Sequence, residues 1–367
     1  MKILVDGIPR TIGGIGTLVM NMAECARKQT NEQEFEFEFI IAKESGYLAF
    51  LTEKNYKYYI APSVSNIREY KFFLAELFNG NKFDYLWFNN TSKVNIWLPL
   101  YAKKNGIRVI THPHGSDIEE KGIKRIVFKM LNFLNEKKMY SIIDIPFACS
   151  EKAADLFYRR NIDLRKRVMI IRNSISTSKF SFSSGAREVI RNELGINDTD
   201  ILIGAVGRLT RVKNYAFLIY VLEKLEKKYK LVIIGDGEDK EELSSLIEEK
   251  KVKDRCFLLG MKTNTFDYYA AMDMFLMPSF NEGFPYSIVE AQSEGLPCIV
   301  SNTLSKELKI TDLVSFVSIE NTAKWVEQIK MTRIIETREK YAKAIEEKGY
   351  DIESSFKVFE KAIKGTT

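Results

Sequence analysis

Histidine is almost missing from this sequence: its 367 residues contain two, both in the stretch Thr111-His112-Pro113-His114-Gly115-Ser116-Asp117. That excludes a metal centre built on several imidazoles, and two ligands one residue apart with only Asp117 beside them are a weak metal signal. Cysteine is scarce as well. Cys25, Cys149, Cys256 and Cys298 lie far apart with no C-x-x-C spacing, which argues against a zinc ribbon or redox pair and for small buried hydrophobes in a reducing compartment. No apolar run reaches the ~18 residues of a membrane span, and the start at Met1 enters a short strand with no basic-then-apolar signal segment. The expected setting is cytoplasmic. Charge is nearly balanced, 55 Lys and Arg against 49 Asp and Glu, so nucleic acid is not an expected partner.

What the chain does have is alternation. Short apolar runs at Lys2 to Val5, Phe35 to Ile41, Tyr56 to Ile60, Tyr85 to Phe88, Arg108 to Thr111, Ile142 to Ala148 and Val168 to Arg172 are separated by helical patterns, including Ile15 to Lys28, Val64 to Phe78 and Gly122 to Tyr140. The serine-dense stretch Ser174 to Gly185 has no helical period and reads as a linker. A second alternation follows, with strands at Ile201 to Val206, Lys230 to Ile234, Cys256 to Leu259, Met274 to Met277 and Cys298 to Val300, and helices near Tyr215 to Lys228, Lys240 to Lys250, Phe266 to Ala271 and Pro285 to Glu294. Strand-helix alternation with a length too great for one core predicts two doubly wound α/β domains facing a cleft. We place them at 1–178 and at 179–349. In such sheets ligands bind at the carboxyl ends of strands, so the loops after strands matter most.

The richest of those loops is Asn281-Glu282-Gly283-Phe284-Pro285-Tyr286-Ser287-Ile288-Val289-Glu290. Pro285 suits a first helical turn, so Glu282 belongs to a strand-to-helix loop. Glu290 lies about a turn and a half into the helix at ~3.6 residues per turn, its side chain leaning back toward the loop. Gly283 allows close approach of a ligand, and the helix start offers N–H groups and a positive dipole end. Two other loops carry cations or glycines: Gly207-Arg208 with Lys213 ahead of a helix that Asn214 could cap, and Gly235-Asp236-Gly237. A guanidinium and an ammonium together suit a diphosphate. In Gly260-Met261-Lys262 backbone groups could pair with a base edge. Gly13-Gly14-Ile15-Gly16 opens the first helix but fails as a dinucleotide fingerprint at Val19, as Gly235-Asp236-Gly237 does at Lys240. Asp198-Thr199-Asp200 precedes a strand and reads as a turn. His114 is expected to donate from a neutral imidazole to a sugar hydroxyl or a developing charge. The helix Gly122 to Tyr140 carries Ile126, Val127, Met130, Leu131 and Leu134 on one face with Phe133 beside it, ringed by Lys121, Lys124, Arg125, Lys129, Lys137 and Lys138. It reads either as a helix packed on the sheet or as one lying on an anionic membrane surface.

These residues resemble the retaining GT-B glycosyltransferases of family 4, of the bacterial surface-polysaccharide type. Glu282 to Glu290 looks like the family's E-x7-E signature. Gly207-Arg208 with Lys213, Gly235-Asp236-Gly237, Leu259-Gly260 and Gly295-Leu296-Pro297 fall in the family's order, and more weakly so do Gly13-Gly14, His114-Gly115, Cys149-Ser150-Glu151 and Asn173-Ser174. Ser174 stands where many relatives carry glycine. The resemblance implies catalytic roles for Glu282, His114, Arg208 and Lys213, and donor binding by Gly14, Gly207, Gly237, Met261, Gly283, Phe284, Pro285, Ser287 and Glu290. Arg208 and Lys213 would hold the diphosphate, Glu290 the ribose and Glu282 the transferred sugar. It also implies that 350–367, with a last helix at Ile352 to Lys364, packs back on the N-terminal domain.

The implied reaction is metal-independent transfer with retention from a nucleotide-sugar, commonly a UDP-sugar, to a lipid-linked glycan acceptor. No cofactor is expected beyond the donor co-substrate. Lys124, Arg125 and Lys129 would hold the protein peripherally on the inner face of the cytoplasmic membrane. One rival is a non-catalytic nucleotide-sugar-binding regulator or scaffold. The other, a dinucleotide oxidoreductase, is weakened by the two incomplete glycine fingerprints.

Overall fold

The computed structural model describes residues 1–29, 34–90, 92–114 and 122–365, the side chains of 90 and 122–124 excepted. The chain forms two compact units, Met1–Ser174 with Ile352–Thr367, and Ile175–Asp351. Seven strands build the first sheet: β1 (Lys2–Asp6), β2 (Glu36–Ala42), β3 (Tyr58–Ala61), β4 (Tyr85–Asn90), β5 (Arg108–Pro113), β6 (Ile145–Ala148) and β7 (Met169–Ile170). Six build the second: β8 (Ile201–Val206), β9 (Tyr229–Ile234), β10 (Cys256–Leu258), β11 (Met274–Met277), β12 (Cys298–Ser301) and β13 (Val314–Val317). Their orders are β3-β2-β1-β4-β5-β6-β7 and β10-β9-β8-β11-β12-β13, with every pairing parallel. Each order reverses once, between β1 and β4 and between β8 and β11. Those two switch points are where doubly wound sheets open a crevice for ligands.

Strands such as Ile3, Leu4 and Val5 in β1 or Met274 to Met277 in β11 are buried on both faces, which explains their unbroken apolar runs. The last helix, Ile352–Lys364, lies in the first unit, where Phe359 packs 4.8 Å from the Trp87 ring and 5.7 Å from Phe147. Its long apolar stripe is what ties it there.

Two local readings are corrected. The serine-rich stretch is not an open linker: Ser174, Ile175, Thr177 and Phe180 are buried, and Ser184–Glu193 is helical. Thr177 Oγ1 donates to Asp351 Oδ1 at 2.8 Å, and Phe180 packs 5.9 Å from the Tyr269 ring. Serine density hid the apolar anchors set between the serines. The helix expected from Val64 begins at Ile67, because Asn66 caps it by accepting from Glu69 N–H. Asp200 N–H donates to the Asn197 carbonyl, closing the turn that contains Asp198. Cys25, Cys256 and Cys298 are buried, Cys149 is half-buried, and all four are free thiols.

Candidate functional site

At the second sheet's switch point, the loop after β8 and the loop after β11 are hydrogen-bonded to each other. Asn214 Nδ2 donates to the Pro278 carbonyl at 3.2 Å, and Phe280 N–H donates to the Val212 carbonyl at 2.9 Å. Asn214 therefore does not cap the next helix with its side chain; it adopts the left-handed conformation at φ 57° and staples the two loops. The staple brings Lys213 to Glu282, with Nζ 2.5 Å from Oε1. Both side chains are mostly buried, 19% and 12% exposed, so the pair is shielded from solvent but reachable. Beneath it sits Tyr215, whose hydroxyl is pushed well up by burial and by the Glu282 charge.

Glycine sets the floor. A Cβ on Gly235, at φ 149°, would stand 1.9 Å from the Gly207 carbonyl oxygen, and one on Gly237 would stand 2.2 Å from that of Leu209. The loops after β8 and β9 can touch only because these positions lack side chains. Gly207 N–H and Gly235 N–H carry the contact onward, to the Ile234 and Gly260 carbonyls. Arg208 projects exposed from this floor, and Met261 is 67% exposed beyond it.

The helix Tyr286–Ser293 starts directly after Pro285, which is its cap residue in extended geometry, with no side-chain cap. Gly283 is exposed with open space around its Cα, Ser287 is buried, and Phe284 stacks on Tyr350 at 5.4 Å. Glu290 Oε2 accepts from the Tyr269 hydroxyl at 2.8 Å. Burial raises the Glu290 carboxyl to about 7, against the Tyr269 bond and the Lys179 charge, which both lower it. Sequence reasoning missed Tyr269 and Lys179. The first sits on a helix to which no role was given, the second in the stretch taken for a linker.

In the first unit, the carboxyl edge of the sheet carries Asp6, Asn89 and His114. The two histidines do not share a loop: His112 is inside β5, fully buried, with Nε2 3.2 Å from the Ile171 carbonyl and its pKa lowered to about 3 by burial. His114 follows the strand, with Nε2 3.0 Å from Asn89 Oδ1. Burial, then the neighbouring His112, holds it well below the usual histidine range. Asp6 is raised to about 6 by burial, partly offset by the Gly7 N–H. Gly14 is the first residue of the helix Gly14–Gln29, and the adjoining Gly13 peptide is held by Tyr47, whose hydroxyl both accepts from Gly13 N–H and donates to Gly13 O at 2.8 Å. Gly115, Ser116, Asp117 and Lys121 lie outside the described residues, as does the Lys124 side chain. Among the described residues no group of three or more His, Cys, Asp or Glu could hold a metal.

The helix Gly122–Tyr140 is the inverse of a core helix. Asn132, Asn135, Glu136, Met139 and Tyr140 face the unit, while Ile126, Val127, Met130, Phe133 and Leu134 are 42% to 68% exposed. Lys93 locks its last turns, with Nζ 2.6 Å from Glu136 Oε1 and 2.8 Å from Tyr140 Oη. Arg125 and Lys129 are exposed beside the apolar stripe. No helix among the described residues is long and apolar enough to cross a membrane.

A sheet of order 3-2-1-4-5-6 whose switch-point loops present Lys213, Glu282 and Glu290 has a counterpart among known families: residues 186–351 match the model described as glycosyl transferases group 1. Over that stretch of the C-terminal unit the chain is similar to the group 1 glycosyltransferases. The chain is 29% identical, over 72% of its length and 70% of the relative's, to UDP-Gal:alpha-D-GlcNAc-diphosphoundecaprenol alpha-1,3-galactosyltransferase of Escherichia coli. EpsF of Bacillus subtilis (strain 168) is 28% identical over 64% of this chain, and the match spans 62% of EpsF, less than two thirds of its length. The α/β GT-B fold expected from the sequence is also that of HepE from Anabaena, solved in complex with UDP-glucose. The TM-score is 0.74 at 15% identity, over all of both chains.

Proposed function

We propose that this protein is a retaining, metal-independent glycosyltransferase that moves a sugar from a UDP-sugar to a lipid-linked glycan acceptor in surface-polysaccharide synthesis. The observation that carries the proposal is the pair of carboxylates at one switch point, Glu282 facing Lys213 and Glu290 held by Tyr269. Breaking the anomeric bond leaves negative charge on the departing diphosphate, and Arg208 with Lys213 would stabilise charge that grows in the transition state. Lys213 then exchanges Glu282 for phosphate oxygens, and the released Glu282 carboxylate holds hydroxyls of the transferred sugar. Glu290 holds the ribose. Retention follows from front-side attack, the leaving phosphate oxygen taking the acceptor's proton. The acceptor class is supported by the undecaprenol-linked substrate in the Escherichia coli relative's name.

The ribose role has a pH signature. Ionised Glu290 accepts from two hydroxyls at once, whereas the protonated acid prevalent below about 7 does not. UDP-sugar affinity should therefore weaken as pH falls through 7, by up to about tenfold per unit. Thermal unfolding in EDTA reads this, since a ligand that binds only the folded state raises the melting temperature. Glu290→Gln should bind more weakly and lose the pH dependence. If no nucleoside diphosphate or its sugar stabilises the wild type in EDTA, the donor assignment fails. A chain that binds UDP-sugar yet transfers nothing to lipid-linked glycans would be the scaffold.

We further assign the exposed face of Gly122–Tyr140 to the surface of an anionic membrane. Apolar side chains turned outward and flanked by Arg125 and Lys129 have the composition of an interfacial helix. Replacing Lys124, Arg125 and Lys129 by Glu should release the protein from phosphatidylglycerol-containing vesicles in sedimentation, and Ile126→Ser with Phe133→Ser should do so at any salt. Undiminished binding of both variants sinks the assignment.

A further inference from the structure

Asn89 lies at the end of β4, 2% exposed, directly across the first sheet's switch point from β1. It is held there by the absence of a side chain opposite. A Cβ on Gly7, at φ 87°, would fall 1.4 Å from the Asn89 carbonyl oxygen. Asn89 Nδ2 faces two carbonyls, that of Asp6 at 3.2 Å and that of Trp87 at 3.5 Å. Carbonyl oxygens only accept, so the amide nitrogen must point to them and Oδ1 must point the other way. Oδ1 is 3.0 Å from His114 Nε2. An amide oxygen also only accepts. The hydrogen in that bond therefore belongs to His114.

We infer that Asn89 is a positioning residue that fixes His114 as the Nε2–H tautomer, so that the imidazole meets its ligand through Nδ1 as a hydrogen-bond acceptor. The ligand group is then a donor, a sugar hydroxyl, and cannot be a phosphate or carbonyl oxygen. This reverses the sequence-based expectation that His114 donates: its N–H is taken up inside the protein. It rests on the transferase reading for the identity of the ligand, but the tautomer does not. The neutral ring that a tautomer requires is consistent with the burial of His114 beside His112, their ring centroids 4.1 Å apart.

The near-absence of histidine makes the test direct. In full-length protein labelled with 15N-histidine, long-range 1H–15N correlation gives two ring patterns, and His114→Gln assigns them. His114 is expected to show a protonated Nε2 and an unprotonated Nδ1 in the wild type. Asn89→Leu, which keeps the branched side-chain shape and removes both amide functions, should shift His114 to a mixture of tautomers and lower kcat by roughly 10–100-fold, with little change in the apparent affinity for UDP. A wild-type His114 protonated on Nδ1, read without any variant, overturns the inference. So does an unchanged tautomer in folded Asn89→Leu. An inactive wild type with the Nε2–H tautomer would instead count against the transferase reading and leave the Asn89 assignment standing.

Discussion

Lys213→Met is expected to lower kcat/KM for sugar transfer by about 10^2- to 10^3-fold, the usual cost of removing one preorganised group that stabilises transition-state charge. Nothing else among the described residues replaces it, because Arg208 stands on the exposed side of the glycine floor while Lys213 is held inward by the Asn214 and Phe280 bonds. The single variant has a second effect. It leaves the Glu282 carboxylate, 12% exposed, without its cation, which destabilises the fold by roughly 1–3 kcal/mol. Lys213→Met with Glu282→Gln removes the lone charge and should recover most of that stability in urea unfolding while transfer stays lost. Stability regained without activity separates chemistry from folding. A single variant within tenfold of wild type would show that the diphosphate is not held by Lys213.

Glu294→Gln should raise stability, and more so with rising pH. Glu294 is fully buried at the carboxyl-terminal end of the helix Tyr286–Ser293, where the helix dipole disfavours a negative charge. Its oxygens have no hydrogen-bond partner among the described residues, and Arg338 Nη2, at 3.7 Å, is too far for one. The guanidinium is committed elsewhere, to the carbonyls of Glu294, Tyr269, Ala270 and Met272. Burial pushes the Glu294 carboxyl up to about 8, only partly offset by the Arg338 charge. A raised folded-state pKa means that this acid's favourable contribution is complete below its unfolded value near 4.5 and is lost as pH rises through 8. The gain from Gln should therefore be near zero at pH 4.5 and reach roughly 2–4 kcal/mol above pH 8, about 4–12 °C in melting temperature. His112 acts in the opposite direction, its neutral buried ring costing stability as pH falls from 6.5 toward 3, but it is common to both proteins and cancels in the difference. A difference independent of pH would mean that Glu294 is already paired.

Much of the candidate site's placement was legible because its residues are local. Glu282 and Glu290 are set by one loop and one helix, and Gly207, Arg208 and Lys213 by a single strand end, so periodicity and loop position are enough to find them. The misreadings share a cause as well. Asn214 caps nothing because a carbonyl from another loop competes for its side chain. The serine stretch packs because Ile175 and Phe180 have a core to enter. Of the two readings left open for Gly122–Tyr140, the packed one fails because polar Asn132, Asn135 and Glu136 find partners within the unit and leave the apolar face outward.

By itself, then, the sequence determined the elements, the parallel alternation and which loops bear charge, since these follow from side-chain periodicity and from glycine's backbone freedom over a few residues. Tertiary structure alone decided the partners: Lys213 with Glu282, Tyr269 with Glu290, Asn89 with His114. Each joins residues from different strands, helices or loops. A hydrogen bond or ion pair depends on tenths of an ångström between atoms that only sheet order and loop packing bring together, and it is such a partner that fixes the proton on His114, while burial sets the charge on Glu290 against the Tyr269 bond.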